Sequence, residues 1–390
     1  MLVKVYATLA VLLLCVARLG LAEPPHGELR NGYSAICAVA RNEHLYIEEW
    51  IEYHLCLGID KIYLYDHESD IPLERILLRD IPTTVNRVIV QRFKGHHKRF
   101  KEGFSSKMER FMKTAQGYAY WHCLQHYSSQ HSFIGFIDVD EFLVINDAQA
   151  LNINSILRDY EPYGGVSFHW RTVGSSGHDR RPNNSVVDSY TACFPEHHEV
   201  HRQIKSFVNT RFQPVMHSPH RALFRRKRRK DYGTSASESH AKRRVLTSEA
   251  PSIAPLHLQR QNLSLREFLR NSSVRGRLRR KSRILEERRQ SSDSEAVGGP
   301  DIDSPSLVDE KYRVLKSGLT NVATWDRIAV YHYVTKSRED FEAKVERGGG
   351  AGVTRKLEYF DQVNQQTTNI CTGAQDSRDR FCRNKGFALL

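Results

Sequence analysis

The chain lacks a long hydrophobic run: the longest, Val5 to Val16, falls short of the roughly 20 residues a helix needs to cross a bilayer. None of its seven cysteines forms a C-x-x-C pair, so a zinc ribbon or a thioredoxin-like motif has no support. Also missing are G-x-x-x-x-G-K-S/T, G-x-G-x-x-G after the first strand, and G-x-S-x-G, which removes the P-loop, the dinucleotide fingerprint and the hydrolase elbow. A basic surface spread over the fold is lacking as well. The net charge is +13, but Arg221 to Gln290 alone holds 21 Lys or Arg against 6 Asp or Glu, so the rest of the chain is slightly acidic. The basic character belongs to one segment, and a nucleic-acid partner is not expected of the fold.

What is present suits a globular protein. Of the 390 residues, 40% are hydrophobic and 10% aromatic, enough for at least one sizeable core. Lys4 precedes the apolar run, and Gly20 and Ala22 stand before Glu23 like a signal-peptidase site. Residues 1–22 therefore read as a secretory signal peptide, with an uncleaved signal anchor as the alternative; either leads into an oxidising lumen. Beyond Cys15, six cysteines allow one to three disulfides, and Cys371 with Cys382 is the most local pair. Asn183, Asn262 and Asn271 stand in glycosylation triplets.

From Tyr33 to Val144 two periodicities alternate. "YSAICAVA" reads as a strand, and the next segment repeats Ile47, Trp50, Ile51 and Leu55 at helical spacing. "KIYLY", "NRVIVQRF" and "SFIGFI" read as further strands, separated by helices at "PLERILL" and "SSKMERFMKTAQGYAYWHCLQHY". This order predicts an α/β fold: a mostly parallel, Rossmann-like sheet with helices on both faces. "GGVSFHW", "IKSFVNTRF" and "DRIAVYHYV" read as later strands, and "SREDFEAKVERGGG" as a helix capped by Ser337. Segments 33–223 and 311–362 make the folded domain, 224–310 a disordered basic insertion, and 363–390 a cysteine-containing tail.

Open α/β sheets bind ligands beyond the carboxyl ends of their strands. There this sequence places Arg41, Asn42 and Glu43, then Asp66 and His67, then Asp138 and Asp140 of "FIDVDEF". On a strand, residues i and i+2 share a side, so Asp138 and Asp140 are expected to converge and repel unless a cation lies between them. A hard divalent ion takes oxygen ligands and completes its shell with water and phosphate. The plainer reading has one Asp capping the following segment. His197 and His201, four apart, invite a zinc reading that lacks a helical pattern around them.

In order, "AVARNEHLYIEEWIEYHLCLGIDKIYLYDHESD", "FIDVDEFL", "GSSGH", "IKSFV" and "HYVTKSREDFEAKVERG" resemble the blocks of glycosyltransferase family 92 and the similar family-2-like enzymes with a DxDEF motif. The resemblance implies a GT-A fold and an inverting, metal-dependent transfer of a hexose, galactose by resemblance, from a UDP-sugar to a glycan or glycoconjugate. By that resemblance Mn²⁺ or Mg²⁺ is held by Asp138, Asp140 and His332, while Arg41, Asn42, Glu43 and Asp66 hold the nucleotide. Lys336 would offset phosphate charge and His178 would line the acceptor site. Asp179, Glu196 and Glu199 remain alternative candidates for the base that inversion requires. The implied location is the secretory pathway: Golgi lumen or membrane, or the outside of the cell. The reading from another class is a secreted polyanion-binding protein that acts through the Arg-rich insertion.

Overall fold

The computed structural model describes residues 32–80, 86–94, 107–224, 305–348 and 355–383. The signal segment and most of the basic insertion lie outside them.

The first half follows the periodicity. Strand β1 (Ser34–Ala40) leads to α1 (Ile47–Cys56), whose Ile47, Trp50, Ile51 and Leu55 are buried and whose first turn carries Glu48 and Glu49, the favourable sign for that end of the dipole. Then come β2 (Lys61–His67), α2 (Leu73–Asp80), β3 (Val88–Phe93), α3 (Lys107–Met112) and α4 (Ala115–Tyr127), the last capped by Thr114. Next are β4 (Phe133–Phe136) and β5 (Glu141–Ile145). Strands β3, β2, β1 and β4 lie side by side and parallel, in that order.

The second half contains α5 (Ile153–Leu157), β6 (Gly165–Val173), α6 (Val186–Ser189), β7 (Ala192–Cys193), β8 (Ile204–Asn209), β9 (Pro214–Ser218), β10 (Arg221–Phe224) and β11 (Leu307–Asp309). It closes with β12 (Ile328–Tyr333), α7 (Arg338–Arg347), α8 (Glu358–Gln366), β13 (Asn369–Ile370) and α9 (Gly373–Phe381). Here the sheet departs from the mostly parallel expectation. Strand β8 runs antiparallel to both β4 and β6, and β12 is parallel to β6 but antiparallel to β5. The antiparallel partners are distant in the chain, β8 from β4 and β12 from β5, so no hairpin turn marks them in the sequence. The result is a mixed α/β sheet, parallel at the β1 side.

Two expected boundaries move. Leu307 to Asp309, assigned to the insertion, form β11 beside Gly165 to Ser167, and Phe224, the insertion's first residue, ends β10. Residues 363–383 are no tail. Ala374 and Phe381 sit in the main core, and Tyr53 Oη donates to the carbonyl of Ala374 at 3.3 Å. The cysteines pair as Cys37–Cys123, Cys56–Cys382 and Cys193–Cys371, not as Cys371 with Cys382. Cys371 and Cys382 flank α9 at its two ends, so each meets a different part of the core.

Candidate active site

Chain order in the parallel half places a topological switch point at the β1/β4 boundary. Successive strands leave β1 on one side through β2 and β3, and β4 returns on the other. At such a point the loops after two neighbouring strands diverge and leave a crevice at their carboxyl ends. A cavity of about 590 Å³ opens there, within the ordinary size of a small-molecule site. Its walls are the loop after β1 (Arg41 to Tyr46), Asp70 and Ile71 after β2, Asp140 after β4, Lys336 after β12, Arg181, and one face of α7.

The acidic motif does not lie on a strand. Asp138 to Asp140 form the turn between β4 and β5, closed by a hydrogen bond from Glu141 N–H to the carbonyl of Asp138 at 3.0 Å. The i, i+2 rule therefore fails, and the two carboxylates meet different partners. Asp138 accepts from Lys205 Nζ at 2.7 Å and Gln116 Nε2 at 2.6 Å. Asp140 accepts from Lys344 Nζ at 2.5 Å and lines the cavity. Each lysine neutralises one acid, so the mutual repulsion expected from the sequence is relieved by the protein's own cations.

Burial opposes the charge on Asp140, but Lys344 and His332 overcome it and hold the carboxyl well below its usual range. His332 comes from β12, in register with Glu141 of β5, and its Nε2 lies 3.6 Å from Asp140 Oδ2, beyond hydrogen-bond range. Burial lowers the His332 pKa despite Asp140, which favours the neutral imidazole that ligates metals; its Nδ1 is buried without a hydrogen-bond partner. A carboxylate from the β4–β5 turn and a neutral imidazole from β12 fit a divalent ion that takes its other ligands from water or phosphate. Among the described residues, no group of three or more His, Cys, Asp or Glu side chains forms a ready-made cage. Asp138 would join the pair only by leaving Lys205.

Lys336 is buried with φ +57°, and its ammonium lies 3.7 Å from the centre of the Tyr46 ring. Burial lowers its pKa, and Glu43 and Asp140 pull the other way. Glu43 pairs with Arg347, and its carbonyl accepts the first amides of α1. Asn42, in the left-handed region at φ +54°, clasps Asp70 reciprocally at 2.8 Å through both atoms of its amide. Arg41, Asn42, Glu43 and Lys336 thus all line the cavity.

Besides Asp138 and His332, five further expected site residues lie off the cavity lining. Asp66 is buried and accepts from the amides of Ser69 and Leu73, both at 3.1 Å, which fixes the loop into α2. His178 contacts the carbonyl of Ser189 through Nε2 at 3.1 Å and so ties down the Gly-rich turn. The three base candidates are exposed and off the cavity: Asp179 near Arg338, Glu199 paired with Arg202, and Glu196 on a turn. In the proposed zinc pair His197 is exposed, whereas His201 is buried and accepts from Thr172 N–H at 3.2 Å.

Sequence reasoning missed Tyr46, Arg181, Asp340, Lys344 and Arg347. Arg181 grips Asp340 Oδ1 through Nε at 2.9 Å and Nη2 at 2.6 Å, while Tyr46 and Ser337 donate to the other oxygen at 2.5 and 2.6 Å. This network anchors α7 to the loop after β1. The signal was available: Asp340, Lys344 and Arg347 recur at i, i+4 and i+7, one face of a helix.

Comparison with known proteins supplies the family. The family model described as glycosyltransferase family 92 matches residues 35–269, more than half of the chain. A glycosyltransferase family 92 protein of Oryza sativa subsp. japonica is 28% identical over 170 residues, 42% of this chain and 26% of that protein. One from Ricinus communis is 26% identical over 198 residues, covering 49% and 32%, and one from Arabidopsis thaliana is 27% identical over 180 residues, covering 43% and 28%. The chain spans about a quarter to a third of the length of these relatives. The crystal structure of residues 1–349 of S. aureus TarS shares 11% identity, covering 46% of this chain and 48% of that one, with a TM-score of 0.24, too low to argue from. On the family match, the chain belongs to glycosyltransferase family 92.

Proposed function

We propose that the protein is a metal-dependent inverting glycosyltransferase that moves a hexose, galactose by resemblance, from a UDP-sugar to a glycan or glycoconjugate acceptor. The observation that carries this reading is the cavity at the β1/β4 switch point, with Asp140 at one wall, His332 behind it at 3.6 Å from Asp140 Oδ2, and Lys336, Lys344 and Arg347 around it. Asp140 and His332 would hold Mn²⁺ or Mg²⁺. The bound ion would act as a Lewis acid that stabilises the charge on the departing UDP. The protein's own part is to place the donor's diphosphate among the lysines and to exclude water by burial.

The acceptor hydroxyl must lose a proton to a group within reach of the anomeric carbon. Asp70 and Glu346 line the cavity and replace the three carboxylates that lie off it as candidates. Asp340 is excluded because Arg181, Tyr46 and Ser337 already engage both of its oxygens. The three disulfides support passage through an oxidising lumen, hence the secretory pathway. Among the described residues no helix is long and apolar enough to cross a membrane. The reading is tested by calorimetric titration with UDP, GDP and their sugars, with Mn²⁺ or with chelator: metal-dependent binding of UDP and one UDP-sugar is expected. Binding of none of them would overturn it.

A further inference from the structure

The cavity is electrically balanced: five Lys or Arg and five Asp or Glu line it. A nucleoside diphosphate entering as a polyanion therefore meets, beside Arg41 and Lys336, three cations already engaged by the protein's acids. Arg347 is paired with Glu43, and Arg181 is locked with Asp340 in a network closed by Tyr46 and Ser337. Lys344 is held differently. Its ammonium touches Asp140 Oδ2 at 2.5 Å and the carbonyl of Val334 at 3.0 Å, at the end of a four-carbon stem from α7. It thus occupies the carboxylate that would bind the metal.

Resting on the reading of this cavity as the donor site, we propose that Lys344 is a built-in counter-ion that stands in for the divalent cation at Asp140 and transfers to the diphosphate when metal and nucleotide enter together. An ammonium and a divalent ion on one largely buried carboxylate repel each other strongly at low dielectric. Lys344 is a cation already seated on the Asp140 carboxylate. When the diphosphate arrives, it offers the lysine a new anionic partner within reach of its flexible stem, and the metal takes Asp140. Metal and nucleotide consequently bind cooperatively, each raising the other's affinity by the same factor. Lys344 is a positioning residue for the ion and a binding residue for the phosphate.

The test measures Mn²⁺ binding to the full chain by electron paramagnetic resonance, alone and with UDP, corrected for the Mn²⁺–UDP complex in buffer. Wild type is expected to bind Mn²⁺ weakly alone and about tenfold or more tightly with UDP, the size of an ordinary coupling between sites. Lys344→Met is expected to bind Mn²⁺ alone about tenfold more tightly than wild type, with little further gain from UDP. Arg338→Met removes the same charge from α7 at a position off the cavity lining, where Arg338 pairs with Asp361, and should keep the coupling, which separates occupation from a general field effect. Thermal melting checks that the variants fold; Lys344→Gln, which keeps a donor for Val334, takes the place of the Met variant if that one does not. Mn²⁺ binding by folded Lys344→Met no tighter than by wild type would overturn the counter-ion role and leave the donor site standing. Absence of Mn²⁺ binding in every variant, with UDP present, would overturn both.

Discussion

Asp179, Glu196 and Glu199 follow the Gly-rich turn in sequence, yet none of them lines the cavity, which removes them from any reacting centre there. Asparagine or glutamine at each should change kcat within about twofold, whereas a true general base lost from the cavity, Asp70→Asn or Glu346→Gln, should cost about 10² to 10⁴. Steady-state kinetics on the five variants decides between them. The buried histidines carry a different consequence. Burial pushes His54 down to about 3 against the pull of the Trp50 carbonyl, and His131 down to about 4. Their unfolded forms titrate near 6.5, so between that pH and about 4 the unfolded chain binds more protons, and stability falls as pH falls. Each histidine contributes a slope of about 1.4 kcal/mol per pH unit in that window. Denaturant unfolding from pH 7 to 4 should show this loss, and His54→Gln, whatever its overall stability, should show a shallower slope.

At the scale of elements, the β4–β5 turn depends on β8. Lys205, 1% exposed, reaches from β8 to Asp138 at 2.7 Å and Glu141 at 3.2 Å. Burial works against its charge, but the two acids outweigh that and hold the ammonium above its usual range; burial pushes Glu141 up to about 8. Removing one partner of such a cluster leaves uncompensated charge in the interior, so Lys205→Met should cost about 3 to 5 kcal/mol in a denaturant melt and weaken nucleotide binding by loosening the turn. A loss under 1 kcal/mol would contradict this account of the turn. The strands and helices from β1 to β4 were legible in the sequence because their apolar positions recur at periods of 2 and 3.6. The turn was not, because the i, i+2 argument assumes that the strand continues, and nothing in "DVDE" announces that it stops at Phe136. The cationic face of α7 was legible in its spacing, but only the fold shows that it faces Asp140.

The whole molecule is stitched across its length. Cys56 in α1 pairs with Cys382, 326 residues away, and Cys193 with Cys371, 178 residues away. Sequence spacing favoured the local Cys371 with Cys382 because spacing carries no information about which distant cysteines the core brings together. Non-reducing peptide mapping should recover Cys56 joined to Cys382, and loss of that bridge in Cys56→Ser should lower stability by about 2 to 4 kcal/mol. A Cys371–Cys382 peptide would contradict the placement of α9. The mixed sheet is the other global feature that the strand pattern did not reveal, since its antiparallel neighbours β4 and β8, and β5 and β12, are far apart in the chain and joined by no hairpin turn.

The central claim is that the cavity at the β1/β4 boundary performs metal-assisted sugar transfer, and UDP release tests it most directly. A panel of UDP-sugars would be incubated with the full chain, with Mn²⁺ or with chelator, alongside Asp140→Ala. Metal-dependent release from one donor, abolished in the variant and by chelator, is the predicted result. Release that persists without metal, or undiminished in Asp140→Ala, would contradict it.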